Sequence, residues 1–542
     1  MNPPPEHGAS ALATLLTYHE RTKHRFERYA AGPETLDWSS QPEAFRSFEG
    51  APRIRLPLNA DDLATPYAAL SEPGAVTPQP FSLASIATLL ELSLGLSAWK
   101  EYGPDRWALR CNPSSGNLHP TEGYMLCRGV PELANGVYHY LSRDHVLEQR
   151  GLSGAASSPE QTPRVFVALS SIHWREAWTY GERAFRYCQL DTGHAIGALR
   201  YAAAALGWRL RWIDNIGTAD LATALGLDRN EDFQGVEREE PELLLEVIAD
   251  ASTSDSPDFA AATDLAWRGQ ANRLDPHPMY RWPIIDEASE ASRTPGAVPA
   301  PGAATLDSYP PLPGLCETPA ATLIRQRRSA QHFDRRQTLS AAAFYRLLDA
   351  LLPRAEAAPF DTWNLAPRLH PVLFVHRVDG LAPGLYVLPR RTGVEAELHA
   401  AFDPDFEWAK PEDCPAHLPL FRLTAGDCGK VSRAINCHQA IGVDSAFALG
   451  MLAEFEAPLA GAPWQYRRLY WEAGLLGQVL YLEAEALDVR GTGIGCYFDD
   501  VFHELLGLKS RAFQSLYHFT VGFPLVDTRI LTLPPYAGRA DE

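Results

Sequence analysis

The stretch Asn112-Pro113-Ser114-Ser115-Gly116-Asn117-Leu118-His119-Pro120 bears most directly on the fold of this chain. Two prolines bracket short hydroxyl and amide side chains, and Gly116 lets the backbone approach another group closely. Such a loop exposes N–H groups and short polar side chains to a flat, polar ligand. Viewed alone, the same pattern is also typical of an ordinary tight turn, so the remaining sequence has to decide between the two.

A basic segment, Ile324-Arg325-Gln326-Arg327-Arg328-Ser329-Ala330-Gln331-His332-Phe333, lies near the start of the second half of the chain. Adjacent guanidinium groups followed by a hydroxyl suit the bidentate binding of a phosphate or of the polar edge of a ring. The alternative is a solvated basic end of a helix.

A glycine-rich segment, Arg490-Gly491-Thr492-Gly493-Ile494-Gly495-Cys496-Tyr497-Phe498, follows a long predicted helix. Its glycines let the backbone pass close to a ligand, so that an N–H near Gly495 or Cys496 can reach a polar acceptor. The segment is not a dinucleotide fingerprint, because that motif follows a strand and has another spacing. A helix stop with a tight turn is the alternative.

Short patterns recur in the two halves of the chain, and they recur in the same order. The matched pairs are Leu118–Pro120 with Leu369–Pro371, Gly136–Tyr138 with Gly384–Tyr386, Val165–Leu169 with Ala446–Leu452, Phe185–Leu199 with Tyr466–Leu480, and Leu225–Leu227 with Leu506–Leu508. Within the fourth pair, Asp191 aligns with Glu472 and Gly193 with Gly474. An ordered series of this kind indicates an internal duplication.

Two stretches rich in Pro, Ala and Ser, 251–262 and 288–304, are typical of loops or linkers. They predict a first half over 1–250, a linker over 251–306 and a second half over 307–542.

Apolar periodicity predicts both helices and strands in each half. The predicted helices are Ser82–Leu96 and Leu339–Leu352, with Ser82 and Ser340 as N-caps, and the long, largely buried Phe185–Leu206 and Trp464–Leu487. The predicted strands are Val165–Leu169, Leu210–Ile213, Leu243–Ile248 and Leu516–Gly522. Because strands and helices interleave, each half is expected to be a sheet with helices packed over it.

Composition excludes several classes of function. The chain has 542 residues and a formal net charge of −19, without a long basic block, which argues against nucleic acid and anionic membranes as partners. No apolar run is long enough for a transmembrane helix and no secretory signal opens the sequence, so a cytoplasmic location is expected. Eight cysteines without a C-x-x-C pair predict neither a disulfide framework nor a metal site.

Taken together and in this order, the three polar segments resemble the nitroreductase superfamily, and within it the SagB-type, thiazole/oxazole-oxidase-like dehydrogenases. The resemblance extends from about Tyr18 to about Tyr536. It implies an α+β fold of two fused nitroreductase-like halves, each a mainly antiparallel sheet flanked by helices, that form an intramolecular pseudo-dimer. It also implies one FMN site built from both halves.

The resemblance implies which residues contact FMN. Those of the first half are Pro113, Ser114, Ser115 and Asn117, and those of the second half are Arg327, Arg328, Ser329, Gln331, Gly493, Ile494, Gly495, Cys496 and Arg529. By this analogy Arg327, Ser329 and Gln331 hold the phosphate and ribityl chain, and Arg529 adds charge at the phosphate. The backbone at Gly495 and Cys496 faces flavin N5, so Cys496 acts through its N–H and its thiol need not be reactive.

Azoline-oxidising members of the family use a Lys-Tyr pair beside the flavin, and the matching position here is Thr179-Tyr180. The resemblance therefore implies Tyr180 as a catalytic acid or base, the alternative being a packed aromatic ring with a satisfied hydroxyl. The missing lysine argues against azoline oxidation specifically.

Each half keeps the motifs that the other has lost. The second half has Leu365–Arg368 in place of the Ser-Ser-Gly-Asn loop, and the first half has Trp212–Gly217 in place of the glycine-rich segment. Tyr18–Lys23 is the remote counterpart of the Arg-Arg-Ser segment. This distribution predicts one intact FMN site per chain and one decayed site.

The function implied is that of an FMN-dependent dehydrogenase or oxidase that acts on a peptide or small molecule by hydride transfer at flavin N5. The alternatives are an NAD(P)H-dependent nitro or quinone reductase and a non-catalytic, peptide-binding scaffold. Oxygen or NAD(P)H would be the redox partner. The chain is expected to be a monomer, as a pseudo-dimer, or a homodimer.

Overall fold

The computed structural model describes residues 5–154, 162–249, 264–296, 306–363, 365–537 and 539, in which helices and strands alternate through both halves. The helices are α1 (Pro5–Arg21), α2 (Leu83–Ser93), α3 (His173–Tyr180), α4 (Ala184–Ala205), α5 (Thr218–Leu225), α6 (Pro283–Ala291), α7 (Ala320–Gln326), α8 (Ala341–Asp349), α9 (Val394–Ala401), α10 (Gly429–Ile435), α11 (Ile441–Asp444), α12 (Glu456–Leu459), α13 (Gln465–Ala486) and α14 (Asp499–Leu505).

The strands belong to two large antiparallel sheets and three small ones. They are β1 (Phe48–Glu49), β2 (Arg53–Arg55), β3 (Leu96–Tyr102), β4 (Asp105–Arg110), β5 (Thr121–Arg128), β6 (Gly136–Leu141), β7 (Val146–Ser153), β8 (Arg164–Ser171), β9 (Arg209–Trp212), β10 (Glu240–Ile248), β11 (Leu265–Trp267), β12 (Gln270–Ala271), β13 (His332–Phe333), β14 (Leu369–Val375), β15 (Gly384–Val387), β16 (Phe421–Ala425), β17 (Phe447–Glu454), β18 (Arg490–Ile494), β19 (Phe513–Gly522), β20 (Pro524–Leu525) and β21 (Leu531–Leu533).

The two large sheets repeat one topology. The sheet of the first half has the order β11-β7-β6-β5-β8-β10-β9, with β2 also paired to β7, and that of the second half has the order β16-β15-β14-β17-β19-β18. Strands β6, β5, β8, β10 and β9 thus correspond to β15, β14, β17, β19 and β18. The predicted α+β fold of two fused halves, each an antiparallel sheet flanked by helices, is confirmed.

The long helices α4 and α13 cross where the two halves meet. A Cβ atom on Gly193 would lie 2.2 Å from the carbonyl oxygen of Trp471, and one on Gly474 would lie 2.1 Å from that of Leu190. Only glycine allows the backbones to come so close at this crossing. Each glycine faces a carbonyl group of the other helix at the equivalent position. This symmetry is expected of a pseudo-dimer in which Gly193 aligns with Gly474.

Strand register corrects one of the repeats on which the duplication was predicted. Gly136 lies opposite Cys127, and the equivalent Gly384 lies opposite Val375. Counting back along β5 and β14 from these positions places Pro371 level with Gly123. The match between Leu118–Pro120 and Leu369–Pro371 is therefore wrong by three residues. It was based on identical residue types, whereas the pairing of the strands gives a different alignment.

The predicted linker over 251–306 contains structure that belongs to the first half. Strand β11 pairs with β7 at the edge of the first large sheet, and β12 pairs with β1. Helix α6 lies against α1 and α4. Within 264–296 the linker prediction is therefore wrong, since Pro, Ala and Ser content does not reveal short edge strands. Residues 250–263 and 297–305 lie outside the described part of the chain.

The C-terminal segment crosses from the second half to the first. Strand β21 pairs with β3, with Leu531 opposite Glu101 and Leu533 opposite Trp99. The Tyr536 hydroxyl extends this contact, since it accepts from the Leu96 N–H at 2.9 Å. The crossing carries residues 524–530 past the junction between the halves. Among the described helices, none is long and apolar enough to cross a bilayer.

Candidate functional site

A cavity of about 730 Å³ lies between the two halves, and both contribute to its walls. Of the fourteen residues predicted for the site, all but Arg529 line it. Those in the wall are Pro113, Ser114, Ser115, Asn117, Tyr180, Arg327, Arg328, Ser329, Gln331, Gly493, Ile494, Gly495 and Cys496. The wall also includes His24, Lys100, Arg183, Tyr187, Asp191, Tyr481, Arg490 and Tyr517.

The loop 113–117 is held from below by helix α4. The Asp191 carboxylate accepts from the Ser115 N–H at 3.1 Å and from the Ser115 hydroxyl at 3.2 Å. The Ser114 hydroxyl accepts from the His119 N–H at 2.8 Å. Gly116 has φ 57°, and a Cβ there would lie 2.5 Å from the Tyr180 hydroxyl. These hydrogen bonds hold the loop in its conformation, and glycine is needed at position 116.

Two buried carboxyl groups lie under this loop. Burial raises the pKa of Asp191 to about 7, against the opposing hydrogen bonds from Ser114 and Ser115. Burial and the neighbouring Asp191 raise the pKa of Glu176 well above its usual value. No Lys, Arg or His nitrogen of the described residues lies within 4.0 Å of either carboxylate. The pair is thus held without a compensating cation and can retain a proton near neutral pH.

One end of the cavity is strongly basic. Arg327, Arg328, Lys100 and Arg490 all line it. Burial lowers the pKa of Arg327, and burial together with the Arg327 charge lowers that of Arg328 to about 10. Over the described residues, neither of these two guanidinium groups has a carboxylate oxygen within 4.0 Å, and Nε of Arg327 is buried without a hydrogen-bond partner. Buried and unneutralised cations of this kind are suited to binding an anion.

The first part of the glycine-rich segment lines the cavity as a strand beside the segment 327–331, since the Ala330 N–H donates to the Gly491 carbonyl at 3.2 Å. Arg490–Ile494 is β18, which pairs with β19, whereas a helix stop and tight turn were the alternative from sequence. A Cβ on Gly493 would lie 1.8 Å from the Tyr517 hydroxyl, and one on Gly495 would lie 2.2 Å from the Tyr187 ring. Tyr481 accepts from the Gly493 N–H at 3.0 Å. Glycine at these two positions leaves room for the Tyr517 and Tyr187 side chains beside this segment.

Tyr180 lies at the C-terminal end of α3 with its ring against Tyr187, at a centroid distance of 4.6 Å. Burial and the nearby Glu176 raise the pKa of its hydroxyl well above 10. The hydroxyl therefore stays protonated at neutral pH and can donate a proton or a hydrogen bond. Arg183 follows in the chain, and its guanidinium donates to the Gly495 carbonyl at 3.2 Å.

Arg529, which was predicted to add charge at the phosphate, is not among the residues that line the cavity. Its side chain is 73% exposed and its Nη2 lies 2.7 Å from a carboxylate oxygen of Asp527. The Asp527 carboxylate also accepts the Arg529 backbone N–H, which closes a local turn and points the guanidinium away. Lys100 and Arg490 supply positive charge at the cavity instead, and no motif in the sequence singled them out.

The equivalent position on the other side of the molecule is filled by aromatic rings. The ladders of β9 and β18 place Trp212 where Gly493 lies in the intact side. The Trp212 ring stacks on Trp363 with centroids 5.0 Å apart and planes at 11°, and it meets Trp471 edge to face at 6.2 Å. The Arg468 guanidinium lies 4.5 Å over the Trp212 ring.

The chain is similar in sequence to known proteins. Residues 76–236 match the model of the Nitroreductase family. A protein of Methanocaldococcus jannaschii described as a nitroreductase is 32% identical over 133 residues, which cover 22% of this chain. The chain spans 65% of the length of that relative.

Solved structures extend the likeness beyond the matched domain. A nitroreductase structure from Anabaena variabilis superposes with a TM-score of 0.68 over 94% of this chain and 99% of its own, at 22% identity. This establishes a shared fold through both halves. A chain of the Escherichia coli microcin synthetase complex covers 47% of this chain and 96% of its own at 16% identity, but its TM-score of 0.25 is too low to support an argument.

Proposed function

We propose that this chain is an FMN-dependent oxidoreductase, with one flavin in the cavity between its halves and a peptide or small molecule as substrate. The observation that carries the proposal is the cavity itself. At one end it has Arg327, which is buried, and Arg328, which is half-buried, neither with a carboxylate oxygen of the described residues within 4.0 Å, and its walls include the glycine-rich segment and the polar loop 113–117. A flat ring system with an anionic tail has these complementary features.

The residues present fit FMN. The orphaned Nε of Arg327 and the unpaired charge of Arg328 suit a phosphate dianion. Gly493 and Gly495 line the cavity beside Tyr517 and Tyr187, whose side chains would clash with any larger residue at these positions, so the backbone and the two aromatic rings together would contact a planar ring. The cavity volume of about 730 Å³ lies within the range of cofactor pockets, roughly 300–1,000 Å³.

FMN bound there would supply two-electron chemistry, and the protein would bind, orient and shield it. The arginines would hold the phosphate, and the loop 113–117 would position the polar edge of the ring. Tyr180 lines the cavity, and because burial raises the pKa of its hydroxyl and keeps it protonated, it would act by donating a hydrogen bond to a bound substrate. The Asp191–Glu176 pair would keep the loop in place beneath.

The proposed substrate class rests on the sequence motifs of SagB-type dehydrogenases. Thr179 in place of the lysine of azoline-oxidising relatives leaves Tyr180 without a basic neighbour in sequence. Dehydrogenation of a peptide or small molecule other than an azoline is therefore the proposed reaction. Anaerobic mixing with NADPH tests this: a flavin that keeps its yellow colour fits the dehydrogenase, and rapid bleaching indicates a nitro or quinone reductase instead.

The flavin site is tested by titrating the protein with FMN and following the quenching of flavin fluorescence. We expect Arg327→Ala to weaken FMN binding about 10- to 100-fold, because a charge-assisted contact is worth roughly 1.5–3 kcal/mol. Arg529→Ala, at an exposed position outside the cavity, is the matched control and should change the affinity less than about 3-fold. Equal effects of the two substitutions would contradict the proposed phosphate site.

A further inference from the structure

Two cysteines meet at the rim of the cavity. Cys437 lies in the turn after α10, and Cys496 lies two residues after the end of β18 in the cavity wall. Both are free, half-buried thiols, and their Sγ atoms are 2.6 Å apart. The cysteines are 59 residues apart in sequence, so no motif spacing pairs them. The two sulfurs lie only slightly farther apart than the length of a disulfide bond, about 2.05 Å.

The backbone around Cys437 is arranged to bring it to Cys496. Cys437 and His438 have φ angles of 51° and 60°, and two consecutive non-glycine residues in the left-handed region cost free energy. The Phe498 N–H donates to the Ile435 carbonyl at 2.8 Å, and the Gln439 side chain donates to the Cys496 carbonyl at 3.2 Å. These contacts fix the two segments against each other, so the approach of the thiols is built into the fold.

The surroundings of Cys496 favour the thiolate. A hydrogen bond with Cys437, together with the nearby His24 ring and the Arg183 charge, lowers the pKa of Cys496 to about 5 despite its burial. Burial instead raises the pKa of Cys428, another half-buried thiol, to about 11. A thiolate of low pKa beside a second thiol is the arrangement found in disulfide-exchanging proteins.

A metal site does not account for this cluster. Within the described ranges, no three His, Cys, Asp or Glu side chains are grouped so as to hold a metal ion. His24, whose ring interacts with Cys496, already accepts the Ala30 N–H at its Nδ1 atom, at 2.9 Å.

We propose that Cys437 and Cys496 form a redox-active dithiol that reduces disulfides at the rim of the cavity. The Cys496 thiolate attacks one sulfur of a substrate R–S–S–R, which forms a Cys496–S–S–R bond and releases one thiolate. Cys437 then gives its proton to water and attacks the sulfur of Cys496, which releases the second thiolate. The two cysteines lose two electrons and become a disulfide, and the substrate disulfide gains them and becomes two thiols.

The first test uses dithiobis-nitrobenzoate, a disulfide that releases a coloured thiolate, on the reduced full-length protein. The wild-type chain should release two coloured thiolates in a rapid phase and retain no adduct. Cys437→Ser should release one and keep the other as a mixed disulfide, because the resolving thiol is gone. Cys496→Ser should lose the rapid phase, with a rate at least about 10-fold lower at pH 6. Cys414→Ser, at an isolated thiol, is the control and should match wild type.

A second measurement identifies the bond. The chain is equilibrated in mixtures of reduced and oxidised dithiothreitol, alkylated, digested and analysed by mass spectrometry. A peptide joining Cys437 and Cys496 that forms and disappears with the buffer is expected. Two independently alkylated cysteines under oxidation would overturn the proposal, as would a bond reduced only on unfolding. Flavin is counted separately by absorbance, so a colourless protein contradicts the proposed function without touching this result.

Discussion

Asp191 and Glu472 occupy matching positions of α4 and α13, and each accepts a backbone N–H from the loop that precedes a central strand. Ser115 donates to Asp191 at 3.1 Å, and Arg368 donates to Glu472 at 3.0 Å. Only Glu472 has a cation beside it, since Arg390 lies at 2.6 Å. One side of the molecule neutralises its buried carboxylate with an arginine, whereas on the other side Asp191 has no Lys, Arg or His nitrogen of the described residues within 4.0 Å and holds the loop 113–117 instead.

The two sides of the molecule also differ at the equivalent positions Gly493 and Trp212. Gly493 has no side chain and leaves room for the Tyr517 hydroxyl, whereas the equivalent Trp212 places an indole ring against Trp363. Arg468, on the α13 turn equivalent to that of Tyr187, covers the ring. After duplication one site can retain its ligand while the other exchanges ligand contacts for packing, and the fold as a whole is kept. Substitutions on the two sides should therefore have different effects on stability and on flavin binding.

Trp363→Ala should lower the free energy of unfolding by about 3–5 kcal/mol, because it removes a buried ring from the filled side and leaves a cavity. Urea unfolding followed by circular dichroism measures the change. The flavin content should be unaffected, since this tryptophan lies away from the intact site. Trp38→Ala, at a tryptophan that is 63% exposed, is the matched control and should cost less than about 1 kcal/mol. Similar losses in both variants would mean that the stacked rings are not packed as described.

Asp191→Asn should flatten the dependence of stability on pH. Burial raises the pKa of Asp191 to about 7, so the native state holds this proton more tightly than the unfolded chain does. Stability from this group is therefore present at low pH and is lost as the pH rises from about 4 to about 7, by at most about 4 kcal/mol.

Unfolding free energies at pH 4.5 and pH 8 give the comparison. Relative to the asparagine variant, the wild type should be more stable at the lower pH than at the higher. Asp105→Asn, at an exposed position, should leave the wild-type slope unchanged. Identical slopes in the wild type and Asp191→Asn would show that this carboxyl does not hold a proton in the native state.

Gly116→Ala should reduce FMN affinity about 10-fold and stability by about 1 kcal/mol, because the position has φ 57° and the new methyl would lie 2.5 Å from the Tyr180 hydroxyl. Gly380→Ala provides the control, since it has φ 76° but open space around it. It should show the backbone cost without the loss of flavin. FMN titration and thermal unfolding separate the two contributions.

The sequence was sufficient for the helices and for the central alignment. The periodicity of Phe185–Leu206 and Trp464–Leu487 predicted α4 and α13, and matching their letters correctly paired Asp191 with Glu472. Long helices carry a strong signal, because many positions share one period. The Leu-His-Pro match was wrong because three residues are too few to fix a strand register.

The site was predictable where residues act through contiguous motifs and unpredictable where the fold brings distant residues together. The loop 113–117 and the segment 327–331 both reach the cavity as expected. Arg529 does not, because its local turn with Asp527 decides where its side chain points. The Cys437–Cys496 pair depends on two left-handed residues and a sheet edge, and no pattern in the sequence records either feature.

The central claim is that one side of the duplicated fold binds flavin and the other is closed by its own side chains. It is tested most directly by saturating the purified chain with FMN, removing unbound flavin, releasing the bound flavin by heat and counting it per polypeptide by absorbance. We expect about one FMN per polypeptide. A ratio near two would contradict the closure of the Trp212 side, and a protein that rejects added FMN would contradict the intact site.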